Sequence, residues 1–136
     1  MPVFLDSNVF IYAAGAESPL KAPCANILRR VAAGDLDAST SVEVVQELHH
    51  VFRRRGRLAD GVGLGRDVAR LFPGLLSITR DDILRSGDLL LARPQLSPRD
   101  ALHAATALNN GITVIISADT DLDHIEGLTR LDPASP

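Results

Sequence analysis

Cysteine is almost missing from this chain of 136 residues: Cys24 stands alone. An internal disulfide is therefore impossible, and a thiolate zinc site lacks its ligands. Tryptophan is absent and aromatics make up 4%. No apolar run approaches the roughly 20 residues that a membrane span needs. The N-terminus shows no basic region followed by a long apolar stretch, so no signal peptide is expected, and a cytoplasmic protein without a membrane partner is. A glycine-rich loop closing on Lys and Ser or Thr is missing, which speaks against nucleoside triphosphate binding, as does the lack of a Gly-x-Ser-x-Gly elbow against a serine hydrolase. Even lysine is scarce, with Lys21 the only one.

What is there is an ordinary globular balance, 46% hydrophobic and 23% charged, in a length that suits one domain. The expected domain covers 1–131, with 132–136 as a flexible tail. A formal net charge of −3 argues against a generally basic nucleic-acid coat. The positive charge is nevertheless clumped, at Arg53, Arg54, Arg55 and Arg57. Such a run complements the dipole at a helix end, or it meets a phosphate or an acidic protein partner.

Hydrophobic patterning divides the chain into alternating strands and helices. Val3 to Leu5 reads as a buried strand, with Ser7 or Asn8 capping a helix through Tyr12. A helix over 20–33 stops at Gly34, and 36–40 reads as a second strand. Ser41 caps a helix carrying Val44, Val45, Leu48 and Phe52 at helical spacing. The segment 58–71 supports another, weakened by Gly61, Gly63 and Gly65. Leu75 to Ile78 is a third strand candidate, followed by a helix to about Ala92. Ser97-Pro98 opens the next helix. Thr113 to Ile116, β-branched and apolar on both faces, suits an inner parallel strand, and a last strand falls near 128–131. Alternation of this kind predicts right-handed crossovers and helices on both faces of a parallel sheet, which binds ligands at its carboxyl edge.

Four acids fall where that topology gathers them. Asp6 and Asp119 each follow a predicted strand, and Glu47 and Asp100 lie one turn into the helices beside it. Each has an ordinary alternative: Asp6 a helix cap, Glu47 a solvent-facing acid, Asp100 a first-turn acid that suits the dipole, Asp119 and Asp121 turn residues. Glu43 shares a helix face with Glu47 and competes with it for the site. Two carboxylates about 4 Å apart repel by roughly 4 kcal/mol at an effective dielectric near 20, so such a cluster requires a proton or a cation. All-oxygen ligands without paired His or Cys fit Mg²⁺, or Mn²⁺ in its place, better than zinc. His49, His50 and His124 read as ordinary histidines; His103, one turn after Asp100, can approach the same pocket or pack in the core. Carboxylates holding Mg²⁺ point to phosphodiester hydrolysis.

Leu5-Asp6-Ser7-Asn8-Val9, Ser41 through Glu47, Asp100-Ala101-Leu102-His103-Ala104-Ala105 and Ser117-Ala118-Asp119-Thr120-Asp121-Leu122, in this order and spacing, resemble the PIN-domain family, and most closely its VapC-type ribonuclease toxins. Leu122 departs from the aromatic usual after the last acidic pair. The resemblance implies a three-layer α/β/α sandwich with a mostly parallel central sheet, usually a homodimer. It implies a metal-dependent endoribonuclease, the toxin of a toxin-antitoxin pair, held inactive by a cognate antitoxin. Asp6, Glu47, Asp100 and Asp119 would form the acidic site, with Asp6, Asp100, Asp119 and the auxiliary Asp121 toward the metal and Ser7 as a hydrogen-bonding support. Arg53, Arg54, Arg55 and Arg57 would help hold RNA or the antitoxin. Other readings are an RNA-processing PIN nuclease without an antitoxin and a catalytically inactive binding module. A receiver-like signalling module is disfavoured, because an acidic pair after the first strand and a late lysine are both lacking.

Overall fold

The computed structural model describes residues 2–136, with Met1 outside them. Strand β1, Val3–Leu5, and strand β3, Val114–Ile116, are short apolar runs that lie side by side in parallel, Phe4 opposite Ile115 and Leu5 opposite Ile116. Strand β2, Ala38–Ser39, flanks β1, and strand β4, Thr129–Leu131, flanks β3, so the sheet runs β2-β1-β3-β4 with every pair parallel. The chain leaves β1 for one side of the sheet and later returns to the other side of it as β3. Right-handed crossovers in opposite directions place helices on both faces. The change of direction falls between β1 and β3, the switch point at whose carboxyl edge such sheets bind ligands.

Local chemistry sets the helix boundaries. Helix α1, Ser7–Ala14, is capped by Asp6, whose side chain accepts the Ser7 N–H, and not by Ser7 or Asn8 as the sequence suggests. An ionisable acid at the strand end thus doubles as the cap. Helix α2 spans Lys21–Ala32 and turns away at Gly34, where φ is 78°. Helix α3, Val42–Arg54, starts at Ser41, which accepts the Val44 N–H. Helix α4 is Leu58–Leu71; helix α5, Arg80–Ala92, has a reciprocal Thr79–Asp82 capping box. Helix α6, Pro98–Asn109, opens with the Ser97 cap and Pro98 in its first turn.

The expected strand at 75–78 does not form. It contributes one isolated parallel bridge, Leu76 to Ser41, because the Thr79 cap commits the chain to α5 immediately afterwards. Helix α4, conversely, is intact despite its glycines, and two of them are the reason it packs. A Cβ on Gly61 would stand 2.6 Å from the Phe52 Cβ, and one on Gly65 would stand 2.8 Å from the His49 ring, so these positions let α4 lie close against α3. Nothing lies within 4 Å of a Cβ on Gly63. Gly61→Ala is therefore expected to destabilise by about 1–3 kcal/mol through overpacking. Gly63→Ala should stabilise by about 0.5–1 kcal/mol through helix propensity. Urea unfolding of the two variants checks the opposite signs.

The core is continuous across the sheet: Phe4, Leu5, Phe10, Leu48 and Ile115 are fully buried, and Phe10 meets Phe72 edge-on at 6.0 Å. Among the described residues no helix is long and apolar enough to cross a membrane.

Candidate acidic site

Asp6 directly follows β1 and is 2% exposed, and a charge there survives only with partners. Its Oδ1 accepts the Ser7 N–H at 2.8 Å; its Oδ2 accepts the Ser117 hydroxyl at 2.6 Å and the Asn8 amide at 3.3 Å. Burial pushes the Asp6 carboxyl up in spite of these bonds and of the nearby His103. Ser117, at the end of β3, is a junction. Its Oγ donates to Asp6 and accepts from Asn8 Nδ2 at 2.9 Å and from the Asp119 N–H at 3.0 Å. Asn8 closes the ring by accepting the Ala118 N–H at 3.1 Å. The switch point between the two central strands is thus stitched by side chains where the backbone ladder ends. Ser117→Ala removes the hydroxyl facing a buried carboxylate and should cost about 1–3 kcal/mol, measurable by urea unfolding.

Asp100 enters from the first turn of α6, its N–H held by the Ser97 hydroxyl. Burial, the charge of Asp6, and the hydrogen bond and charge of Asp119 together push its carboxyl up to about 7. Asp119 caps a single 3₁₀ turn, Thr120–Leu122, by accepting the Asp121 N–H at 2.9 Å. Glu47 projects from α3. Burial works against its ionisation, but the hydrogen bond and charge of His103, with Ser7 and Arg99 adding to them, hold its carboxyl below the usual range. His103 is fully buried, with Nε2 2.7 Å from Glu47 Oε1 and 3.9 Å from Asp6 Oδ1. Burial opposes its charge, yet the surrounding acids raise its pKa.

Beside these groups opens a groove of about 680 Å³, lined by Glu43, Glu47, Asp100 and Asp119 together with Arg99 and an apolar flank of Ile83, Leu90 and Leu102. Asp6 lies just behind, within reach of Asp100. The four acids singled out in the sequence are therefore one cluster. Asp121 is exposed in the 3₁₀ turn and does not line the groove. Ser7 is buried against Glu47. The arginine run stands apart: Arg53 and Arg54 close α3, roughly 9 Å of helix rise beyond Glu47. Arg55 and Arg57 stack over the Phe52 ring at 5.8 and 5.4 Å, and Arg57 pairs with Asp60. Arg55 and Arg57 thus pack at the end of α3. The cation on the groove is Arg99, 3.3 Å from Glu43 Oε1, which the sequence reading overlooked along with Asn8 and Ser117. The Ser-Ala-Asp spacing after a strand was a usable signal for Ser117.

Ligand atoms of Asp6, Glu47 and His103 lie within 4.8 Å of one another, a mixed set of oxygen and nitrogen. The imidazole Nε2 is already committed to Glu47. The carboxylates of Asp6, Asp100 and Asp119 stand close enough to interact: the elevated Asp100 records its burial first and the charges of Asp6 and Asp119 second. A hard divalent cation matches this oxygen set and relieves that repulsion.

A family model described as PIN domain matches residues 3–128. Ribonuclease VapC7 of Mycobacterium tuberculosis is 33% identical over 135 residues, covering 96% of this chain and 91% of that protein. Ribonuclease VapC13 of the same organism is 31% identical over 132 residues, covering 95% and 98%. Among solved structures, VapBC2 from Rickettsia felis bound to a promoter DNA fragment superposes with a TM-score of 0.76 at 15% identity, covering 97% of this chain and 98% of that one. Similarity at that identity speaks to the fold.

Proposed function

From the premise that this chain belongs to the PIN domain family, we propose that it is a Mg²⁺-dependent endoribonuclease, the toxin of a type II toxin-antitoxin pair. The observation that carries the reading is the gathering of Glu47, Asp100 and Asp119 on one groove, with Asp6 directly behind them, at the switch point of the sheet. The named ribonuclease relatives, matched over nearly their whole length, support the activity. Asp6, Asp100 and Asp119 would hold the cation, with Mn²⁺ as a substitute and Asp121 as an auxiliary acid. A bound divalent cation supplies polarisation of a phosphate oxygen and a lowered pKa for a coordinated water.

The chain's own groups supply the rest. Glu47, held ionised, can only accept hydrogen bonds; it orients an attacking water and takes its proton at a carboxylate oxygen. Arg99, one-third exposed at the rim, offers a fork to a phosphate once it leaves Glu43. Ser117, Asn8 and Ser7 fix the acids and do not react. The domain spans 1–131 with a short tail, acts in the cytoplasm as a homodimer, and is silenced by an antitoxin covering the groove. The solved neighbours include toxin-antitoxin complexes, which supports such a partner.

The test is to induce the chain alone in a bacterial host, follow growth, and map new RNA 5′ ends. Growth arrest with a discrete set of ends is expected. Soluble expression with neither arrest nor new ends would overturn the reading.

A further inference from the structure

Glu43 and Glu47 lie four residues apart on α3, and Arg99 and His103 lie four apart on α6. The two helices face each other so that the pairs form a ladder. The outer rung, Glu43 to Arg99, is 3.3 Å long and its side chains are 24% and 33% exposed; the inner rung, Glu47 to His103, is 2.7 Å long with 17% and 0%. Both glutamates line the same groove, and nothing in the spacing of α3 says which of them serves the site. The partner across the groove makes the difference. A solvent-exposed ion pair holds a side chain weakly, whereas a buried donor at hydrogen-bond distance fixes it. An ionised Glu47 offers only acceptors, so the proton aimed at it is that of Nε2. The other ring nitrogen, Nδ1, is buried without a partner, so Glu47 is the only hydrogen bond that sets the orientation of this ring in the described residues. Phe4, with its ring centroid 6.1 Å away, packs near the imidazole.

We propose that His103 is a positioning residue that selects Glu47 rather than Glu43 as the glutamate of the site, holding its carboxylate beside Asp6 through the Nε2–H donor. The proposal rests on the nuclease reading for its consequence in catalysis and on the ladder geometry for its cause. His103 touches neither substrate nor cation; it acts through Glu47. Its removal therefore has no further effect once Glu47 can no longer serve.

A cycle of His103→Leu, Glu47→Gln and the double variant tests this, read in single-turnover cleavage of an RNA carrying a mapped site and, separately, in stability by urea unfolding. His103→Leu should slow cleavage by about 10- to 100-fold, the usual loss when a residue orienting a metal-site group is removed. In the Glu47→Gln background the same change should cost less than about 2-fold, because the two act as one unit. His103→Gln keeps an N–H near the Nε2 position and should stay within about 3-fold of wild type. Equal losses in both backgrounds, or a Gln variant as slow as the Leu variant, would overturn the assignment. Should His103→Leu fail to fold, His103→Gln decides: near-wild-type cleavage supports the role and a loss equal to that of Glu47→Gln refutes it. A wild type that binds Mn²⁺ and cuts no RNA would sink the nuclease reading, while the cycle read in urea unfolding still decides the place of His103: coupled losses support its hold on Glu47 and additive losses refute it.

Discussion

Asp100→Asn is expected to abolish RNA cleavage, by on the order of 10³-fold or more, while making the metal-free protein more stable above neutral pH. The two effects have one cause. In the folded protein Asp100 keeps its proton up to about pH 7, against 3.8 for the free side chain. The folded state thus binds more protons than the unfolded chain between those values. This group's contribution to stability is complete below the lower one and is lost as pH rises through the upper one. Asn carries no such dependence, so in EDTA the variant should melt above wild type at pH 8 and the gap should narrow toward pH 5. The opposing effect is the helix dipole, which favours an acid in the first turn of α6 by about 0.3–1 kcal/mol. One pKa unit corresponds to about 1.4 kcal/mol, so burial of the carboxylate together with the charges of Asp6 and Asp119 outweighs the dipole. Melting below wild type at pH 8 would instead make Asp100 a capping acid.

The second large effect is that of the cation. Chelation should stop cleavage, and Mg²⁺ or Mn²⁺ at about 100 times its dissociation constant should add about 2.7 kcal/mol to stability, a rise of roughly 10 °C in Tm for a chain of this size. The increment should shrink as pH falls below about 7, because the proton on Asp100 competes with the metal. It should also vanish in Asp6→Asn, whose carboxylate stands at the back of the groove. A Tm indifferent to divalent ions at pH 8 would remove the metal from the account and leave the acids as a purely structural cluster.

Much of this site was legible because its acids sit next to strong local signals. Asp6 and Asp119 follow apolar strands, Ser41 and Ser97 announce the helices that carry Glu47 and Asp100, and Pro98 marks the start of α6. Local patterning could not rank Glu43 against Glu47, since the partners that distinguish them, Arg99 and His103, lie across the groove on α6. Nor could it show that His103 is wholly buried and bonded to Glu47, because an apolar helix face accommodates a packed histidine equally well. Leu75 to Ile78 has strand composition yet only Leu76 pairs, a decision made by the capping box that follows. The glycines of α4 were read as weaknesses from propensity alone; their value emerges only when Phe52 and His49 are seen against them. The arginine run was conspicuous as charge, but Phe52 and Asp60 engage Arg55 and Arg57 at a distance from the acids.

The bond from Ser117 to Asp6 joins positions 111 residues apart. A growing or truncated chain can form α1 to α5 and still lack half of the switch point, because β3 supplies both the strand beside β1 and the hydroxyl that steadies Asp6. Loop closure over such a span is slow compared with forming the local helices. The acidic cluster is thus among the last features to be completed during synthesis, and fragments that stop short of Ser117 are expected to lack it. Folding order itself withholds the assembled site until the chain is nearly whole.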